Sequence, residues 1–309
     1  MPSPSRQDAL VRAMPAVFVV IWATGFIVAR YGMPHSPPLK FLSMRYALSS
    51  ACFLAWAVLA RAAWPRDRVQ GLHLAITGIL MHAGYLGGVW AAVKDGMGAG
   101  LAALLVGLQP VLTAFWIAAQ GGRVSRRQWS GLALGLAGLL LVVWQKLGFG
   151  EVHPANLACA LVALLSITAG TLYQKRYVAP CDVRTANLVQ LLAALALTLP
   201  LALLLESEPM AWQAASGGFN VELAGAMAWS VLGLTLGGSS LLYLLIQRGA
   251  ATTVTSLMYL VPPTTALMAW ALFGEAITPV IVAGVALTAV GVSLVVRSPA
   301  PPSASTARS

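Results

Sequence analysis

Apolar residues run along this 309-residue chain in long stretches, broken at short intervals by proline, glycine and charge. A helix needs about 20 predominantly apolar residues to cross roughly 30 Å of hydrocarbon. The pattern predicts ten such helices, over 14–32, 38–60, 70–92, 97–119, 127–147, 154–176, 184–205, 222–246, 250–273 and 277–296. Breaks fall at Pro34-His35-Ser36-Pro37-Pro38, Trp64-Pro65-Arg66-Asp67-Arg68, Gly121-Gly122-Arg123 and Ala179-Pro180-Cys181-Asp182. Two stretches, Gly131–Trp144 and Thr185–Leu205, hold no charge at all. Arg6 and Arg12 precede the first apolar run, as in a secretory signal. That run continues through Trp22 to Tyr31 without a small-x-small cleavage site, and nine more follow, so it is expected to be the first transmembrane helix. The Pro-, Ser- and Ala-rich tail after Arg297 is expected to be disordered.

Composition agrees with a membrane protein. Hydrophobic residues make up 59% of the chain and charged residues only 9%, where a soluble domain carries about 25%. A net charge of +10 could point to nucleic acid. The placement of the basic residues excludes that partner, because they sit in short clusters between apolar runs. With a cytoplasmic N-terminus, that side holds fourteen Lys and Arg, among them Arg61, Arg66, Arg68, Arg123, Arg126, Arg127, Lys175, Arg176 and Arg184. The other side holds four, Arg30, Lys40, Lys94 and Lys146, together with Asp95, Glu151, Glu206, Glu208, Glu222 and Glu275. Both termini are therefore expected in the cytoplasm and the opposite face is expected to be acidic. Cys52, Cys159 and Cys181 have no metal-ligand spacing, and no metal or cofactor is expected.

The chain also repeats itself. Ala99–Gly122 laid over Ala251–Gly274 matches at Ala99, Leu105, Leu108, Pro110, Thr113, Ala114, Ala119 and Gly122. One inserted residue later, Gly131–Val143 matches Gly284–Val296, pairing Gly131 with Gly284 and Gly138 with Gly291. These segments lie five helices apart. An odd number of helices per half forces the halves into opposite orientations, the inverted-repeat design of many secondary transporters. The expected organisation is a cytoplasmic segment 1–13, a first five-helix repeat 14–147, a second 148–297 and a tail 298–309.

Several motifs in order resemble the ten-helix, EamA-type branch of the drug/metabolite transporter superfamily. They are Trp22-Ala-Thr-Gly-Phe26, Pro38-x-x-Phe41-x-x-x-Arg45-Tyr46, Leu104-Leu-Val-Gly-Leu-Gln109-Pro110, Leu257-Met-Tyr259-Leu-Val-Pro262 and Phe273-Gly-Glu275, followed by the Gly284/Gly291 helix. The resemblance covers about residues 14–297. It implies a plasma-membrane permease for small metabolites, often an exporter, that works without ATP. One position departs from the pattern: members often carry Gly-Glu after the fourth helix as well, and here Gly122 is followed by Arg123.

Polar and bend-forming residues inside the spans are the candidates for a site. Pro110 and Pro262 fall near mid-helix, where a proline removes a backbone hydrogen bond and kinks the helix. They are expected either as packing bends or as bends that shape a central cavity. Arg45 is costly inside a membrane. It either snorkels to the interface or draws an anionic, carboxylate-bearing substrate. His82 and Tyr85 share a helix face; His82 is either a helix contact or a group that binds substrate or titrates. A coupling proton stays open as a partner, but no intramembrane Asp or Glu stands near His82, which weakens a dedicated proton relay. Further cavity candidates are Trp22, Gln109, Tyr173 in a stripe with Ser166 and Gly170, Ser239 and Tyr243 in a stripe with Gln247, and Tyr259 with Thr252 and Ser256. Trp116 is open to either a cavity or an interfacial role; Trp64, Trp129 and Trp144 fit an interfacial aromatic belt.

Three function classes compete. A secondary transporter of small organic metabolites, such as amino acids or related compounds, fits the spans, the inverted repeat and the sparse polar stripes. No GxxxxGK[ST] motif supports ATP-driven transport. An intramembrane enzyme lacks a Gly-x-Ser-x-Gly context at Gly237-Gly-Ser-Ser-Leu241, paired aspartates and a histidine cluster. A flippase for a lipid or lipid-linked sugar is the remaining alternative.

Overall fold

The computed structural model describes residues 6–121, 125–238, 240–241 and 258–296. Among these residues the secondary structure is helical apart from one isolated β-bridge, between Gln213 and Phe219 in the connection from Glu206 to Asn220. Ten helices follow in chain order: α1 Arg6–Gly32, α2 Pro38–Leu59, α3 Arg68–Lys94, α4 in two pieces (Ala99–Val106 and Gln109–Ala119), α5 Arg126–Gly148, α6 Pro154–Tyr177, α7 Val183–Leu205, α8 Val221–Gly237, α9 Val261–Phe273 and α10 Pro279–Val296. The first seven contain stretches long and apolar enough to cross a membrane; α8–α10 are shorter apolar helices in the described residues. Local sequence sets their starts. Ser125 and Gln128 form a capping box on α5, Asp67 caps α3 and Asn220 caps α8. Leu140, Leu204, Leu232 and Leu267 are 60% or more exposed. Such leucines would form aggregating patches in water and belong on a lipid-facing surface.

The fourth helix differs from the expected mid-helix kink. Around Gly107 and Leu108 the ladder tightens: Leu108 N donates to Leu105 O and Val111 N to Leu108 O. Pro110 then stands second in a new helical piece. A first-turn residue needs no intrahelical N–H partner, so the proline starts a segment there rather than bending one. Pro262 does the same, standing second in α9 after the 3₁₀ turn Met258–Leu260. The two breaks meet, since a Cβ added to Gly107 would lie 2.8 Å from Pro262 Cγ.

The repeat is visible in the packing of α5 on α10. A Cβ on Gly131 would lie 2.5 Å from Gly291 O, and one on Gly291 would lie 2.5 Å from Gly131 O. Likewise Gly284 and Gly138 lie backbone to backbone. Exchanging each residue for its repeat equivalent turns one contact into the other. That is the behaviour of two antiparallel helices related by a pseudo-twofold axis, and only glycine lets the backbones approach this closely.

The ends of the bundle differ in charge. At the end holding the α1–α2, α3–α4, α5–α6, α7–α8 and α9–α10 connections, here the acidic end, Glu206 accepts from Leu39 N (2.7 Å) and Lys40 N (2.8 Å) at the start of α2. Glu275 accepts from Ala99 N (2.8 Å) at the start of α4. Lys40 Nζ donates to Glu208 O, Asn156 Nδ2 to Asp95 O, and the buried Lys146 pairs with Glu151 at 2.7 Å. At the opposite, basic end, Gln70 donates to Ala179 O and Thr185 to Ala63 O. There Arg184 bonds Asp182 at 2.7 Å and holds its carboxyl below the usual carboxylate range.

Candidate functional site

Two helices carry the same irregularity. The third helix of each half has a π-helical stretch, α3 at its middle over Ile79–Gly84 and α8 over its last described turns, Trp229–Gly237. A π turn shifts the ladder to i→i+5 and leaves a carbonyl misplaced, and such turns concentrate at functional sites. In α8 the Thr235 hydroxyl donates to Ser230 O, five residues back, at 2.8 Å. In α3 the Tyr46 hydroxyl, from α2, donates to His82 O at 2.9 Å.

Between these stretches lies a cavity of about 310 Å³. That is the small end of the range for ligand pockets, roughly 300–1,000 Å³. Its wall is built from both halves: Trp22, Gly25 and Phe26 of α1, Arg45 of α2, residues of α3 from Met81 and His82 through Tyr85 to Trp90, Ile167 and Gln174 of α6, Val183, Ala186, Asn187 and Gln190 of α7, Leu234 and Thr235 of α8, and Gly238 just after it. Lining residues extend to Val183, the first residue of α7 at the basic end. Toward the acidic end Trp90, 1% exposed and stacked on Phe41 at 4.5 Å, forms a floor. Most of the wall is apolar.

Arg45 is the charged residue of this wall. It is buried, and its Nε and Nη2 donate to Thr235 Oγ1 at 3.2 and 3.1 Å. One hydroxyl leaves most of the guanidinium's donors without a partner among the described residues. The chain has nine acidic residues, and only the Asp8 side chain lies outside the description. None of the others pairs with Arg45 and none lines the cavity. A charge in hydrocarbon costs several kcal/mol unless a partner or water reaches it. This one is held in place by a threonine and faces space that a ligand can fill.

The second half mirrors the arrangement. Arg45 is the eighth residue of α2 and Gln190 the eighth of α7. Arg45 reaches the π stretch of α8, and Gln190 lies against α3 beside its π stretch, on the cavity wall it shares with His82. Gly78 makes that contact close, since an added Cβ would sit 2.5 Å from Gln190 Cα.

Of the residues singled out from sequence, Trp22, Arg45, His82 and Tyr85 are brought together around the cavity. Gln109 is not among its lining residues and donates to Thr171 Oγ1 at 2.8 Å. Tyr173 is not either; its hydroxyl bonds His73 Nδ1 at 2.8 Å. Ser166 and Gly170 pack against Gly84 and Met81 of α3. Trp116 is exposed, with Trp64, Trp129 and Trp144. Ser239, Tyr243, Gln247, Thr252 and Ser256 lie outside the described residues, as does the side chain of Tyr259. Missing from the sequence candidates are Thr235, Asn187, Gln190 and Gln174. Asn187 and Gln190, three apart on α7, form a polar stripe of the kind that marked the other helices, but they sit inside a long uncharged run.

The model of the EamA-like transporter family matches residues 13–144 and 155–297, one match in each half of the chain. The chain belongs to the EamA-like transporter family. This EamA-family protein is a multi-pass membrane transporter of ten helices in two inverted five-helix repeats. It is 29% identical over 177 residues to a Salmonella typhimurium protein described as a probable amino-acid metabolite efflux pump, covering 56% of this chain and 54% of that one. The match thus spans about half the length of that relative. It is 26% identical to the uncharacterized inner membrane transporter YedA of Escherichia coli, over 84% of this chain and 82% of YedA. A solved structure described only as the crystal structure of a protein superimposes with a TM-score of 0.61 at 17% identity, covering 92% of this chain and 96% of the other. That likeness concerns the fold alone.

Proposed function

We propose that this EamA-family protein is a secondary, ATP-independent exporter of small organic metabolites, amino acids and related compounds among them, working by alternating access between its inverted halves. The cavity between the two π stretches holds the cargo, with Arg45 taking its carboxylate. The observation that carries this reading is the buried Arg45, hydrogen-bonded to one hydroxyl and facing a cavity of about 310 Å³ with no acidic lining residue. The likeness to a protein described as an amino-acid metabolite efflux pump supports the substrate class.

The alternating-access step draws support from where the halves touch. Glu206 and Glu275, from the second half, cap helices of the first at the acidic end. The cavity has a floor toward that end and reaches Val183 at the other. Rocking one half on the α5–α10 glycine contact exchanges which end is sealed. The count of fourteen Lys and Arg against four supports cytoplasmic termini in the plasma (inner) membrane, with the basic end toward the cytosol. Export then means loading from the end the cavity reaches here.

Counterflow in proteoliposomes tests the proposal. Purified protein, without ATP, is loaded with unlabelled amino acids, hydroxy acids, aromatic and aliphatic carboxylates, nucleosides and sugars in turn, and given labelled tracer outside. Tracer accumulation for at least one class is expected. Accumulation for none, or movement only of a labelled phospholipid headgroup, would overturn it.

A further inference from the structure

We infer that the cavity selects organic monoanions, meaning molecules with one carboxylate, an apolar body and no ammonium group, over zwitterions and cations. This rests on the transport role proposed above and narrows its substrate class. The carboxylate sits on Arg45 beside Thr235, and the apolar body lies among Trp22, Tyr85 and Leu234.

The argument is a charge balance. Arg45 is the permanently charged side chain among the described lining residues, and its charge has no counter-ion among the described residues. An incoming carboxylate supplies that counter-ion and accepts in bidentate fashion from the planar guanidinium fork. A single anion thus leaves the loaded cavity neutral. An amino acid brings a second charge. Its ammonium needs a carboxylate or several well-placed acceptors, because a desolvated, unpaired ion is strongly unfavourable. No Asp or Glu lines the cavity, and the segment 242–257 contains none. The neutral amides of Asn187 and Gln190 face the space instead. Asn187 Nδ2 already donates to Val183 O at 2.7 Å, and a neutral amide does not neutralise an ammonium. A cavity of about 310 Å³ also leaves little room to carry the ammonium's hydration shell along. A plain amine lacks the group that Arg45 binds and is repelled by it. The aromatic faces of Trp22 and Tyr85 are the features that could favour a cation. The amine therefore serves as the sharpest control.

Binding to the intact purified protein in detergent, by titration calorimetry and by thermal unfolding, separates the cases. Two matched sets vary only the charged end: 3-phenylpropanoate, phenylalanine and 2-phenylethylamine, and hexanoate, 2-aminohexanoate and pentylamine. Each acid is expected to bind at least tenfold more tightly than its amino acid, with no binding by the amines. Arg45→Gln is expected to remove the acids' advantage. If that variant fails to fold, the ranking on the unaltered protein decides alone. An amino acid binding as tightly as its acid, any amine binding, or none of the six binding overturns the inference. Preference for phenylalanine together with counterflow of amino acids would leave the transport role standing and remove only the monoanion selection. No binding and no counterflow of any class would remove both.

Discussion

The first half of the protein brings Arg45 to the cavity from the eighth residue of α2; the second brings Gln190 from the eighth residue of α7. Both positions adjoin the π-helical stretch of the other half's third helix, α8 for Arg45 and α3 for Gln190. The backbone plan is the same, and the chemistry is not. A cation stands in one half and a neutral amide in the other. At the α5–α10 crossing the opposite holds, because Gly131, Gly138, Gly284 and Gly291 keep both backbone and residue type. Symmetry is preserved at the crossing on which the proposed rocking turns and relaxed in the wall of the cavity proposed to hold the cargo.

The largest expected effect breaks the symmetric part. Gly291→Leu places a side chain where Gly131 O already lies 2.5 Å from an added Cβ. Overpacking costs about 1–3 kcal/mol even where side chains can shift, and here backbone blocks it. Loss of monodisperse protein on size exclusion is expected, and Gly131→Leu should match it. Gly87→Ala, in open space, should elute like the unaltered protein.

Next comes the asymmetric part. Arg45→Ala is expected to leave the protein folded and to remove the proposed charge-assisted bond to cargo. Truncating one partner of such a buried pair costs about 2 kcal/mol or more, roughly 30-fold in half-saturating concentration for the metabolite found by counterflow. Unchanged kinetics would remove Arg45 from the site. Gln190→Ala deletes a neutral hydrogen bond worth about 1 kcal/mol, so a loss of roughly fivefold is expected in the same assay. An effect as large as that of Arg45→Ala would mean the two positions do equivalent work and would dissolve the comparison.

The smallest effect concerns the acidic end. Glu275→Gln keeps an acceptor for Ala99 N but loses the charge at a helix N-terminus, worth about 0.3–1 kcal/mol. A fall of a few degrees at most is expected in thermal unfolding.

How much of this was legible in the sequence follows from what each feature depends on. Spans depend on hydrophobicity along one segment, so Gly131–Trp144 and Thr185–Leu205 announced themselves. The paired glycines and prolines gave the repeat. The π stretches left no mark, because α3 and α8 are ordinary apolar runs whose ladders shift to suit neighbouring helices. Without them, Thr235 reads as one more membrane threonine. Pro110 was expected to bend a helix, but the tightened turn at Gly107-Leu108 makes it the start of one. Gln109 and Tyr173 looked like cavity residues because polarity in a span implies an inward face. Inward also includes a neighbour's threonine or histidine, and theirs are Thr171 and His73.

The two glutamates that cap α2 and α4 have a consequence for energetics. Each spans the halves by bonding main-chain donors, at Leu39 and Lys40 for Glu206 and at Ala99 for Glu275. Water can replace a carboxylate at a helix terminus near the membrane surface with little net loss. An opening at that end therefore exchanges one solvated arrangement for another of similar free energy. The carboxylates also sit at the positive ends of two helix dipoles, and salt at that end weakens the exposed part of this attraction. If the halves rock as proposed, ionic strength at that end biases the resting ratio of the two states, independent of any cargo.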